Sequence, residues 1–289
     1  MGQAVQTIPR VFLGEALKQL RSDAGKTLDD AAKSVGKDRA RLIKVLEGTA
    51  TLSAEELRSL VDFLDAPPGV RDEIIALGVE ARKRPSDSPY IDLGPGSHRR
   101  IAWLEAMAKD IWIYDKGIYP HLVHSPEYVD ALMGASENIW WEDVSGKERA
   151  NRAAFRLERQ RMVLDPEKHK QIDLMFTDDA LTAEVGSPEI MRIQLAHVIR
   201  VINEYPNVTI RVVPGNVRDN PAQHGGLTML RFGDVLRPVG FLPVVYGPST
   251  YFDKVADTER LLRAFNKLRE LALSPEKTWE FLESKLKEG

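Results

Sequence analysis

The sequence predicts a mainly α N-terminal domain followed by a larger α/β (α+β) domain, and three observations carry that expectation. Residues 13–64 hold short amphipathic segments punctuated by Gly25, Gly36 and Gly48. Residues 85–98 are rich in Pro, Gly, Ser and Asp, the composition of a connection. Strand-like runs begin only at Ile172, with a β-branched one at Val208–Val213. The expected division is therefore residues 1–84, a linker at 85–98, and a second domain at 99–289.

Each N-terminal helix has a local reason. After a loose arm at 1–10, Leu13, Ala16, Leu17 and Leu20 share one face of a helix over 13–24. Gly25 stops it, and Thr27 caps a short helix over 28–35. Asp38 caps a third over 39–47, with Leu42, Val45 and Leu46 turned inward. Ser53, three residues ahead of Glu56, forms a capping box that opens a fourth helix to Leu64. A fifth, over 69–82, follows Pro67-Pro68.

Ala32 is a small residue where two helices must cross, and Gly36 sits at the sharp turn between them. Together with Leu42 and Val45 they meet the demands of a helix-turn-helix, in which the second of the two helices enters the major groove of DNA. The outward residues of 39–47 are then Arg39, Ala40, Arg41, Ile43 and Lys44, with Lys37 at the turn. Lys37, Arg39, Arg41 and Lys44 are the candidate DNA-binding residues, because Arg and Lys pair with guanine edges and phosphates. Arg39 and Lys44 are the better placed for bases. The competing reading is a plain helical bundle with a solvated basic face.

The remainder reads as mixed. Helices are expected at 99–113, from Ser125-Pro126-Glu127, at 146–163, at 188–205, at 256–272 and from Ser274-Pro275-Glu276. Strands are expected at Ile172–Phe176, Val208–Val213, Gly226–Phe232 and Leu242–Tyr246.

Composition narrows the function. The net charge is -3, and residues 1–84 carry 14 Lys+Arg against 13 Asp+Glu, a weak surplus for a phosphate-binding surface. The absence of cysteine excludes a disulfide framework, a thiol nucleophile and cysteine-ligated zinc. No apolar run is long enough for a membrane span, and MGQAVQTIPRVF lacks the features of a signal peptide, so a cytoplasmic protein is expected. There is no Gly-x-Ser-x-Gly elbow, P-loop or Gly-x-Gly-x-x-Gly, so no catalytic residue, cofactor or metal is expected, and the protein is read as not an enzyme. His121 and His124 lie beside Glu127, but Pro120 and Pro126 bracket them, against a shared helix face and a metal site. His169 is read as solvated, His197 as packed on its helix, and His224 as part of a turn.

Two features keep two readings each. Trp103, Trp112, Tyr114, Tyr119, Trp140 and Trp141 suit either a core or a small-molecule pocket. Arg149–Arg161 holds five arginines against one glutamate, as either a solvated face braced by ion pairs or a surface for DNA or an acidic partner.

The N-terminal residues resemble the Xre/lambda-repressor-like helix-turn-helix. With HSPEYVDAL, FRLERQRMVL, VGSPEIMRIQLAHVIRV, PNVTIRVVPG, HGGLTMLRF and FNKLRELALSPEKTWEFL, nearly all of residues 13–285 resembles the actinobacterial WhiJ-like, antitoxin-like regulators. The resemblance implies a homodimeric regulator of double-stranded DNA. It also implies a small acidic partner protein encoded nearby and a role in development or antibiotic production. Neutralising that partner, with DNA binding secondary or lost, is the alternative function. The chain departs from the family at Leu28, where a Gln is common. It departs again at Ile43-Lys44-Val45-Leu46, where Ser-Arg-Ile-Glu is common, and at Ile118–Ser125, where Val-Pro-Gly-Leu-Leu-Gln-Thr is common. The operator is therefore not carried over.

Overall fold

The computed structural model describes residues 6–84, 89–92, 97–136, 139, 146–234, 236–244 and 249–288. The chain divides into two compact units, with the boundary between Trp103 and Leu104 and a return of residues 248–254 to the first unit.

The first unit is built on five helices: α1 Ile8–Asp23, α2 Leu28–Ser34, α3 Arg39–Leu46, α4 Ala54–Phe63 and α5 Pro68–Arg82. The caps act as their residue types dictate. Thr27 accepts from the Asp30 amide, Asp38 accepts from the Arg41 amide, and Ser53 and Glu56 form a complete capping box. Phe12, Leu13, Leu17, Leu42, Val45, Leu57, Val61 and Ile74 fill the core. The expected loose arm is corrected at its end: α1 starts at Ile8, with Pro9 in its first turn and Ile8 only 1% exposed. Residues 1–5 lie outside the described residues.

The described part of the stretch read as a linker belongs to this unit. β1 Tyr90–Asp92 pairs antiparallel with β7 Ser249–Phe252, in the register Tyr90↔Tyr251. Phe12 meets both tyrosine rings edge-on, at 6.0 and 5.4 Å between centroids. Helix α6 Ser97–Met107 then brings Arg100 into the interior, where it is 1% exposed. Arg100 Nε and Nη2 each donate to Asp92 at 2.6 Å, and Nη1 donates to Glu73 Oε1 at 2.6 Å. Arg99 Nη2 reaches the other oxygen of Glu73 at 2.8 Å.

The second unit is organised by the part of a mixed sheet in which its strands lie in the order β6-β5-β2-β3-β4. These are β2 Asp110–Asp115, β3 Gln171–Thr177, β4 Val208–Val213, β5 Leu227–Arg231 and β6 Val239–Leu242. β2, β3 and β4 run parallel; β5 is antiparallel to β2, and β6 to β5. The crossovers carry α7 Pro126–Ser136, α8 Gly146–Leu164 and α9 Pro188–Glu204, and the chain closes with α10 Val255–Leu271 and α11 Pro275–Glu288. Tyr114, Met175, Val213, Met229, Phe265 and Leu268 form one core cluster, between the sheet and α10.

Two expected elements are corrected. The helix expected at 99–113 ends at Met107, and Asp110–Asp115 is the strand between β3 and β5. Its DIWIYD pattern buries Ile111, Ile113 and Tyr114, while Trp112 packs on Phe265 under the Arg269 guanidinium at 4.1 Å. The strand expected at Leu242–Tyr246 lies earlier, at Val239–Leu242, because Pro243 has no amide for a ladder; residues 245–246 lie outside the described residues, as do Trp140 and Trp141. Trp112, Tyr114 and Tyr119 are core or core-packed. In Arg149–Arg161 four arginines form ion pairs, with Asp130, Glu148, Glu105 and Glu158.

The histidines around residue 121 belong to a buried polar network. Glu105, wholly buried, accepts from Arg159 Nε at 2.5 Å and Nη2 at 2.6 Å, with His121 Nε2 at 3.0 Å. Burial raises the Glu105 carboxyl, but the Arg159 charge and His121 outweigh it and hold its pKa at about 2. His124 Nε2 lies 2.6 Å from the Tyr119 carbonyl oxygen, so that nitrogen donates. Burial depresses the His124 pKa to about 3.

Arg100→Ala removes the guanidinium that the buried Asp92 and Glu73 share, leaving Glu73 with Arg99, and should lower stability by about 3–5 kcal/mol in denaturant unfolding. The Glu105 and His124 shifts are both depressions, so the stability these two groups contribute is present above the unfolded values and is lost on acidification. Losses should begin near pH 6.5, as the unfolded chain takes the proton His124 refuses, and continue below pH 4.5 toward 2 as Glu105 protonates. Each fully linked proton contributes up to about 1.4 kcal/mol per pH unit. Asp115, pushed up to about 7 by burial, contributes in the opposite sense over the same range. The test is therefore made with Asp115→Asn, where a urea midpoint that rises between pH 6.5 and 4.5 contradicts the assignment. Finally, a Cβ on Gly14 would stand 2.3 Å from the Leu46 carbonyl oxygen. Gly14→Ala should therefore push α1 off α3 and cost about 1–3 kcal/mol, measured by thermal unfolding.

Candidate nucleic-acid interface

One surface that presents basic residues on the first unit is α3 and the turn before it. Gly36 makes that turn at φ 62°, a conformation that costs a side-chain-bearing residue energy. Its amide donates to the Lys33 carbonyl, and the Lys37 amide to the Ala32 carbonyl, ending α2 cleanly. Ala32 is buried, which lets the helices cross closely. At the other end of α3, Gly48 has φ 72° and packs on the backbone of Arg10 and Val11. Leu42, Val45 and Leu46 are buried, so α3 can offer only its opposite face. Leu46, where the resembled family carries an acid, is thus a core residue rather than a lost contact.

The four sequence-predicted residues share this region but not one environment. Arg39 is exposed, its side chain at 62%, with Nη1 3.4 Å from Asp29 on α2. Lys37 is drawn closer, its Nζ 2.6 Å from Glu56 on α4. Arg41 Nη2 donates to the Thr51 carbonyl at 3.1 Å, across the end of α3. Lys44 is exposed, and its ammonium makes no ion pair among the described residues. Its backbone carbonyl accepts from the Thr49 and Ala50 amides, which fixes the chain leaving α3. Ile43 is half-buried beside it.

Electrostatically the face is mixed. The hydrogen bond from the Lys37 ammonium, followed by that from the Ser53 amide, holds the Glu56 carboxyl below its ordinary pKa. Asp29 and Asp30 occupy the first turn of α2, and Asp30 is tied to the Thr27 cap at 2.6 Å. Helix N-termini that face DNA ordinarily attract phosphate. Two carboxylates on this one repel it, so the contacts must come from α3 and its flanking turn. Sequence reasoning missed Asp29 and Glu56 as partners. Both lie on other helices, and no local spacing signals their approach.

The other candidate chemistry is accounted for differently. His121 and His124 turn their Nε2 atoms to Glu105 and to the Tyr119 carbonyl, respectively. Among the described residues no group of three His, Asp or Glu side chains is arranged to hold a metal. No helix among the described residues is long and apolar enough to cross a membrane.

The comparisons with known proteins agree with this division. Residues 13–74 match a helix-turn-helix domain, which spans α1 to α4 and the first part of α5. Residues 98–284 match a domain of unknown function, DUF5753. No curated protein and no solved structure matches the chain. A helical unit with a helix-turn-helix, followed by a mixed α/β unit whose family model covers more than half the sequence, fixes the assignment: the chain belongs to the DUF5753 family and carries a helix-turn-helix domain ahead of that domain.

Proposed function

We propose that the protein is a transcriptional regulator that binds double-stranded DNA by laying α3 in the major groove. The observation that carries the reading is the exposed basic side of α3, with Arg39, Arg41 and Lys44 on a buried Ala32–Gly36–Leu42–Val45 scaffold. Arg39, at the start of α3, and Lys44, more than one turn on, reach base edges; Lys37 and Arg41 meet phosphates. The resemblance to WhiJ-like, Xre-type regulators supports a homodimer on two half-sites, a cytoplasmic location, and a developmental or antibiotic-related role. The second unit receives a signal or a partner. Its role is binding rather than catalysis, supported by the engagement of His121 and His124 within the fold.

Charge pairing tunes the affinity. Arg39 and Lys37 must leave Asp29 and Glu56 to reach DNA, and exposed pairs of this kind are worth only about 0.2–1 kcal/mol. The acids therefore restrain the cations without locking them. They also reduce the number of phosphates neutralised, and so the salt dependence of binding.

The test is a fluorescence-anisotropy titration with fragments that co-purify with the protein from its own genome. Arg39→Ala with Lys44→Ala should weaken binding by about 1–3 kcal/mol for each good base contact. Asp29→Asn with Glu56→Gln should tighten binding and steepen its salt dependence, because both cations are released to the nucleic acid. Unchanged affinity in the first variant removes α3 as the reading helix.

A further inference from the structure

A cavity of about 380 Å³ opens in the first unit, away from the side of α3 described above. It is bounded by α1, the corner between α4 and α5, α5 itself and the start of α6. Ala16, Leu20, Leu64, Ile74 and Trp103 give it an apolar wall. The volume lies within the range of small-molecule sites, roughly 300–1,000 Å³, and the mostly apolar lining is typical of them.

The polar groups at its rim set the charge of the occupant. Arg99 and Glu73 also line it, but they neutralise each other at 2.8 Å, and Glu73 is held further by Arg100. That leaves Asp23 and Asp65. Asp23 accepts only from the uncharged Gln19 amide at 2.7 Å, and neither aspartate forms an ion pair among the described residues. Asp65 is exposed and held at φ 51°, in a left-handed conformation at the α4–α5 corner. The half-buried Trp103 indole also lines the cavity, and an indole ring is the side chain that attracts cations best. An apolar wall, an indole and two unneutralised carboxylates complement one chemistry, an ammonium group on an apolar body.

We propose that this cavity is a binding site for a small organic amine, its hydrocarbon part against Leu20, Ile74 and Trp103 and its ammonium beside Asp23 and Asp65. The same helix α1 that walls the cavity through Ala16 and Leu20 touches the end of α3 through Gly14. Occupancy is thereby placed one helix away from the DNA-facing side. That regulatory consequence rests on the function proposed above; the binding does not.

The experiment is a calorimetric titration of the full chain, without DNA, using phenethylammonium as the probe and phenylacetate as its anionic counterpart. Saturable phenethylammonium binding is expected, with a Kd of roughly millimolar or tighter. Phenylacetate should bind at least about tenfold more weakly, since carboxylate meets carboxylate. Asp65→Asn should weaken the amine severalfold. Asn tolerates the left-handed backbone, so the fold is kept. Val70→Trp, which fills the cavity from its lining, should abolish binding. The proposal is overturned by an absence of saturable amine binding, by equal binding of phenylacetate, or by parent-like binding in Asp65→Asn. Because no nucleic acid is present, failure here leaves the DNA reading of α3 standing, and failure of that reading leaves this site standing.

Discussion

A guanidinium that is 1% exposed is the constraint on which the first unit depends. Arg100 cannot shed its proton, so burying it requires compensating carboxylates with their lone pairs correctly placed. Asp92 supplies a two-toothed contact from β1, and Glu73 supplies the second charge from α5. The three residues come from three different elements. Their meeting fixes where the chain goes after α5, holds β1 in place for β7, and sets the start of α6 against the helices. Such a network contributes less net stability than an apolar core of the same volume, but it tolerates few alternative arrangements. The helix-turn-helix is thus the front of a unit whose other elements, β1, β7 and the start of α6, are supplied from outside residues 13–74.

Much of this was legible in the sequence where the physics is local. Thr27, Asp38 and Ser53–Glu56 cap through neighbours three residues away, so the residue types alone place the helix starts. The turn at Gly36 and the inward set Leu42, Val45 and Leu46 follow from backbone geometry and helical period. The strands Ile172–Phe176 and Val208–Val213 stood out as short, largely apolar runs interrupted by charge only at Asp173 and Arg211, the second of them rich in β-branched residues. What escaped depends on tertiary context. DIWIYD follows a genuine helix without a proline or glycine between them, and only its pairing with β3 and β5 makes it a strand.

The site was less legible than the fold. Lys37, Arg39, Arg41 and Lys44 can be picked as basic residues around α3 from spacing alone, yet their differing restraint cannot. Lys37 is held at 2.6 Å by Glu56, Arg39 is held loosely at 3.4 Å by Asp29, and Arg41 caps a carbonyl. Each partner arrives through the packing of another element. A formal surplus of one charge therefore understates the cations that DNA can recruit, because exposed pairs dissociate at little cost.

Helix α1 joins these themes. Its N-terminal half buries Phe12 against the tyrosines of β1 and β7, its middle admits the end of α3 through Gly14, and its C-terminal half walls the cavity through Ala16 and Leu20. A helix packed this closely at a backbone contact has no side-chain cushion at that point, so a shift of a few tenths of an ångström is felt by Leu46 directly. A ligand changes the helix position only by the difference in its affinity for two placements of α1. An amine seated between α1 and α5 gains such a difference because its apolar contacts are with both helices, whereas contact with one alone would give none. The placement of the cavity on the same helix as Gly14 is therefore what gives a modest ligand leverage over the orientation of α3.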